Sequence, residues 1–141
     1  HGAFSVDRYP DVGYVFIGGG VGITPVMSSL RTLADRKDPR PLLLLYGNKD
    51  WEGAAFREEL EALKTRLDLE VVYVIEEPPE GWEGEKGFID AELLEKYLPK
   101  EKIRRTFFVC GPGVMMDAVH DALLEHGVPA GKIQMERFNL V

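Results

Sequence analysis

The chain has 141 residues, 45% hydrophobic and 29% charged, with a net charge of −7. That balance fits one soluble globular domain large enough to bury a core. Scattered Lys and Arg under an acidic surplus argue against nucleic acid as a general partner, and the single Cys110 excludes a disulfide framework or a cysteine-built zinc or iron–sulfur centre.

Residues 1–12 show little periodicity, and Tyr9-Pro10-Asp11 reads as a turn. Tyr14-Val15-Phe16-Ile17 is a first strand, apolar at every position as in a sheet covered on both faces. Gly18-Gly19-Gly20-Val21-Gly22-Ile23-Thr24-Pro25 follows, and then Val26, Met27, Leu30, Leu33 and Ala34 recur at helical spacing to about Lys37. Strand, glycine loop and helix make a phosphate-binding arrangement: glycines admit an anion close to the backbone, and the helix start offers unpaired N–H groups. Thr24 is the expected cap, with Pro25 in the first turn. The spacing is not Gly-x-Gly-x-x-Gly, because the sixth position counted from Gly18 is Ile23. On the loop alone, a tight turn without a ligand stands as the alternative.

Residues 42–46, four Leu and a Tyr, form a second buried strand, and Gly47-Asn48-Lys49-Asp50 a loop after it. Phe56, Leu60, Leu63 and Leu67 lie at spacings of four, three and four, the pattern of one helix face. A third strand spans 70–75, and residues 76–87 read as a polar loop in which Trp82 pins the loop to the core. Asp90 caps a short helix carrying Leu93, Leu94, Tyr97 and Leu98. Residues 106–110 form a fourth strand, turned by Gly111-Pro112-Gly113 into a last helix with Met115, Val119, Ala122 and Leu123 on one side and a stop at Gly127. His120 and His126, six positions apart, share no face and read as surface residues, with no metal site expected. A fifth strand spans 132–138. The alternation implies an α/β fold, a doubly wound parallel five-stranded sheet with helices on both faces. Ligands of such sheets bind beyond the carboxyl ends of the strands, at the loops after strands one and four.

Gly19-Gly20-Val21-Gly22-Ile23-Thr24-Pro25 and Cys110-Gly111-Pro112, with Met116 following, resemble the two nucleotide motifs of the ferredoxin reductase superfamily, including its ferric and flavin reductase-like members. Glu136-Arg137-Phe138 is similar to that family's C-terminal Glu-x-aromatic element, and Trp82, Gly84 and Gly87 to a Trp-x-Gly-x-x-Gly pattern of its third loop. His1-Gly2-Ala3-Phe4 resembles the end of its flavin domain. The resemblance implies strand order 3-2-1-4-5, a hinge remnant over residues 1–12 and an NAD(P)-binding domain over 13–141. It implies that NADH or NADPH binds here, while FAD or FMN is held mainly by a barrel preceding this chain. Hydride then passes from nicotinamide to flavin, and electrons leave singly to iron, a haem or an iron–sulfur protein.

By the same resemblance, Gly19, Gly20, Val21, Gly22, Thr24 and Pro25 hold the pyrophosphate, and Gly111, Pro112 and Met116 line the nicotinamide end. Cys110 stands beside nicotinamide C4, Glu136 near the flavin and its proton path, and Phe138 against the flavin ring, although Asn139-Leu140-Val141 extends beyond it. Cofactor choice falls to Asn48, Lys49 and Asp50, with Arg57 nearby. Lys49 and Arg57 favour a 2′-phosphate and Asp50 a free ribose; the lack of a paired Arg cluster tilts the expectation to NADH. The single cysteine makes a reducing cytoplasm the expected setting of this piece; no apolar run approaches the ~20 residues of a membrane span, and the parent protein could be anchored at a membrane. The competing readings are a non-catalytic nucleotide-binding module of the same fold and an unrelated doubly wound domain.

Overall fold

Strand β1 (Gly13–Gly19) is buried along its whole length, and the other strands stack outward from it on both sides. In the computed structural model, which describes residues 12–138, all strand pairs are parallel and the order is β4-β3-β2-β1-β5-β6. The partners are β2 (Leu42–Asn48), β3 (Leu69–Ile75), β4 (Glu85–Lys86), β5 (Arg105–Pro112) and β6 (Ile133–Phe138). The chain runs from β1 outward to β4, then crosses back to lay β5 against the other edge of β1. The reversal of strand order therefore lies between β1 and β5, where a doubly wound sheet opens a crevice. Residues 1–11, with the Tyr9-Pro10-Asp11 turn and most of the expected hinge, and Asn139-Leu140-Val141 lie outside the described residues.

Alternation along the strands divides the core into two layers. Tyr14, Phe16, Leu44, Tyr46 and Phe108 face α1 (Ile23–Asp35) and α2 (Arg57–Leu63), whose Met27, Leu30, Leu33, Leu60 and Leu63 fill that side. Phe16 and Phe108 stack across adjacent strands with centroids 5.2 Å apart. Val15, Ile17, Leu43, Leu45, Phe107 and Val109 face α3 (Ala91–Tyr97) and α4 (Gly113–Glu125) on the other side.

Several expectations need correction. Among the described residues the sheet has six strands, not five, because Glu85 and Lys86 pair with Val74 and Ile75 inside the segment read as loop. Two polar residues joined through backbone bonds leave no hydrophobic period to detect. The second helix is shorter than its apolar pattern: Phe56 is its N-cap residue, with φ of 65°, and Leu67 packs in the core beyond its end. Helix α1 starts at Ile23 behind Gly22, so Thr24 sits inside its first turn and caps nothing, while Pro25 occupies that turn as expected. Asp90 does cap α3, its carboxylate accepting the Leu93 N–H at 2.9 Å, and Gly127 follows the last helix with φ of 86°. His126 is no surface residue: its Nε2 lies 2.9 Å from the Ala91 carbonyl and its Nδ1 3.1 Å from Glu95, joining α4 to α3.

Candidate nucleotide cleft

The end of β1 passes through one tight turn, Gly20–Gly22, into α1. Gly20 takes φ of +54°, a conformation that costs any other residue strain. Gly22 has an ordinary φ of −62° but lies against the next loop. A Cβ placed on it would sit 2.6 Å from the Cys110 carbonyl carbon and 2.8 Å from Gly111 Cα. A Cβ on Gly19 would collide with the Met115 sulfur, and one on Gly111 would lie 3.0 Å from the Met115 methyl. The turns after β1 and β5 thus pack backbone to backbone at the reversal point, with Met115 wedged over both.

Beyond the carboxyl ends of the strands opens a cleft of about 680 Å³. Gly19 and Gly20 form one wall, Asn48 and Lys49 the end of β2, and Pro112 the start of α4. These are five of the residues expected to bind a cofactor. Val21 stands exposed beside them, Gly22 and Pro25 are buried beneath, and Thr24 is exposed at the helix start. Asp50 does not line the cleft; its carboxylate accepts the Gly53 N–H at 2.7 Å and closes its own loop. Arg57 lies over the Trp51 ring at 4.4 Å. Met116 is in the core at 0% exposure, and Met115, one position earlier, faces the cleft instead.

The lining also includes residues not expected from the sequence, among them Glu76 just after β3, Phe88 and Ile89 before α3, and Val114 at the start of α4. Phe88 is 68% and Val114 86% exposed, unusual for large apolar groups. The rule that ligands meet the ends of all the central strands points to Glu76; nothing in the local pattern marks Phe88. Asn48 is 7% exposed; its amide lies beside the Tyr46 hydroxyl, and among the described residues its Nδ2 makes no hydrogen bond of good geometry. Among the described residues, Lys49 is the one cation in the lining, against the carboxylates of Glu76, Asp90, Asp121 and Glu125.

Cys110 and Glu136 are register partners on β5 and β6. Strand alternation turns Cys110 to the face that carries Phe108, away from the α3–α4 side of the cleft. Burial, and then the charge of Glu136, push the thiol up to about 12. Such a thiol is no nucleophile near neutral pH. The Phe138 backbone pairs with Pro112 at the end of β6; its side chain lies outside the description. Trp82 pins its loop as expected: its Nε1 donates to the Glu85 carbonyl at 3.0 Å and its ring lies 5.1 Å from Trp51. Among the described residues, no helix is long and apolar enough to cross a membrane, and no cluster of three or more His, Cys, Asp or Glu is placed to hold a metal.

Residues 16–121 match the family described as the oxidoreductase NAD-binding domain. The chain is 34% identical to NADH-cytochrome b5 reductase 2 of Rattus norvegicus, over 79% of this chain and 42% of the relative. It is 31% identical to a glycine betaine monooxygenase reductase subunit of Pseudomonas aeruginosa, over 97% of this chain and 38% of that protein. The chain therefore spans about two fifths of the length of these relatives. Among solved structures, the cytochrome b5 reductase domain of Ulva prolifera nitrate reductase superposes with a TM-score of 0.80 at 28% identity, over 89% of this chain and 49% of that one. A flavohemoglobin from Malassezia yamatoensis, solved with bound FAD and heme, gives 0.83 at 26% identity, over 99% of this chain and 36% of that one.

Proposed function

This chain belongs to the oxidoreductase NAD-binding domain family, and from that premise we propose that its cleft binds a reduced nicotinamide dinucleotide and presents it to a flavin held by another domain. The observation that carries the proposal is the contact of the two turns at the reversal point, where Gly22 leaves no room for a Cβ beside Cys110 and Gly111. That packing brings the loop before α1 and the start of α4 to one crevice, as a ligand with two linked ends requires. The cradle of Gly19 and Gly20 fits such a ligand, offering close backbone approach to a pyrophosphate. When bound, the reduced nicotinamide supplies a hydride.

In this reading the chain's residues bind and orient. Gly19, Gly20 and Val21 hold the pyrophosphate, with Gly22, Thr24 and Pro25 shaping the turn and the helix start behind it. Gly111 and Pro112 carry the nicotinamide end, and Cys110 with Glu136 forms the strand ends beside it. Cys110 acts by position: hydride transfer depends on the approach and alignment of two rings, not on a thiolate. The ribose of the other nucleotide meets Asn48, Lys49 and Glu76. Glu76 at this end disfavours a 2′-phosphate, and Arg57 stacks over Trp51 and does not line the cleft. NADH is therefore the preferred donor. A flavin-binding domain is the direct partner, and iron, a haem or an iron–sulfur protein the onward acceptor.

Calorimetric titration with ADP-ribose and with its 2′-phosphorylated form, alongside amide NMR, tests this. Binding of ADP-ribose with shifts at Gly20 and Gly111, and binding about tenfold weaker for the phosphorylated form, is the expected result. No response at either glycine overturns the assignment, and tighter binding of the phosphorylated form overturns the cofactor preference.

A further inference from the structure

The residues between β3 and α3 carry both Glu76 and Phe88 into the cleft, yet only two residues of that stretch, Glu85 and Lys86, join the sheet. A two-residue ladder at a sheet edge is a weak anchor. Glu85 reinforces it. Its backbone carbonyl accepts the Trp82 indole N–H at 3.0 Å. Its carboxylate accepts Lys96 Nζ at 2.6 Å and also the Tyr97 hydroxyl, both at the C-terminal end of α3. The Glu85 side chain is 21% exposed and its bond to Tyr97 is partly buried, whereas its bond to Lys96 is exposed; the Lys96 and Tyr97 hydrogen bonds hold its carboxyl below the usual carboxylate range.

The two ends of α3 are fixed in different ways. At the cleft end, Asp90 caps the helix and Ile89 is buried in the layer beneath α3 and α4. At the far end, Lys96 and Tyr97 are tied back to β4. Phe88 stands between the Gly87 N–H, which donates to the Ile75 carbonyl at 2.9 Å, and buried Ile89. An aromatic side chain left 68% exposed gains nothing from the core, so its place over the cleft depends on how the backbone on both sides is held. Glu85 itself does not line the cleft.

We propose that Glu85 is a positioning residue for the dinucleotide site: by clamping β4 to the C-terminal end of α3, it sets Phe88 as the wall against which the adenine-side nucleotide lies. The inference rests on the dinucleotide reading above. The nicotinamide end, assigned to Gly111 and Pro112, lies across the cleft and does not depend on the clamp.

The test measures affinity of the chain for ADP and, separately, for nicotinamide mononucleotide, in wild type, Glu85→Ala, Glu85→Gln and Tyr97→Phe, with thermal unfolding followed in parallel. Loss of a charge-assisted clamp is expected to weaken ADP about tenfold in Glu85→Ala while leaving nicotinamide mononucleotide within about twofold. Glu85→Gln keeps an acceptor for Tyr97 and restores part of the ADP affinity, and Tyr97→Phe weakens ADP less than Glu85→Ala. Unchanged ADP affinity in all three variants overturns the proposal, and so does equal weakening of both ligands, which marks a merely structural role. Should Glu85→Ala fail to fold, Glu85→Gln and Tyr97→Phe decide by the same comparison. A wild-type chain that binds neither ligand overturns the dinucleotide reading itself, a result distinct from wild-type binding that the variants leave untouched.

Discussion

Replacing Gly22 by Ala tests the contact on which the site depends. The Gly22 backbone angle, φ of −62°, suits any residue, so the cost is purely steric. The new Cβ lies 2.6 Å from the Cys110 carbonyl carbon, 2.8 Å from Gly111 Cα and nearer still to the Cys110 oxygen. All three are backbone atoms of a buried strand and its turn, so no side chain can rotate away. Overpacking of this kind costs about 3 kcal/mol. With an unfolding entropy of about 2 cal/mol/K per residue, a chain of 141 residues loses roughly 10 °C in Tm for that amount. Gly20→Ala is the matched control. Its Cβ meets nothing within 4 Å, but φ of +54° brings a left-handed penalty of about 1 kcal/mol, or roughly 3 °C. Circular dichroism melts of both variants, with ADP-ribose titrations on the folded protein, give the readout. Gly22→Ala is expected to lose more stability than Gly20→Ala and to weaken binding more than tenfold, because the turns must separate. A Gly22→Ala variant that melts within about 2 °C of wild type and binds normally would refute the backbone contact.

Two further outcomes follow from the site and its supports. The Cys110 thiol, pushed up to about 12 by burial and by Glu136, has a folded pKa above its unfolded value near 9, so its contribution to stability is full below about pH 9 and is lost as pH rises toward about 12. Denaturant melts at pH 8 and pH 11 should show Cys110→Ala losing less stability over that interval than wild type; equal losses would contradict the assignment. Asp90→Ala removes the cap on the Leu93 N–H and should cost about 1 kcal/mol, with Asp90→Asn recovering most of it in the same thermal melts.

Much of the fold was legible because its signals are local. Continuous apolar runs such as Tyr14-Val15-Phe16-Ile17 have one stable use in a chain that alternates with amphipathic helices, a strand covered on both faces. The Asp90 cap and the Gly127 stop act through neighbouring backbone groups, and both are read correctly from residue type and position. Failures arose where tertiary packing overrode a local pattern. Phe56 has the spacing of a core residue but turns outward from a left-handed backbone, with Arg31 5.5 Å from its ring. Glu85 and Lys86 have no strand signal and are drawn into the sheet by the open edge of β3.

For the site, the glycine loop and the Cys110-Gly111-Pro112 turn were readable as two motifs, each meaningful in sequence because glycine and proline narrow the backbone choices available. The strand order 3-2-1-4-5 implied by the resemblance already set β1 beside β5; what was not readable is how closely the two turns pack, a Cβ on Gly22 falling 2.8 Å from Gly111 Cα. The choice between Met115 and Met116 likewise needed the phase of α4, which sends one sulfur over Gly19 and the other into the core. Phe88 and Glu76 join the cleft only because β3 ends beside β2 and α3 packs next to α4. Residue type and spacing thus determined that this chain forms a doubly wound sheet with two close-approach turns. Strand order and helix phase, set by the burial of both sheet faces at once, decided which side chains those turns share.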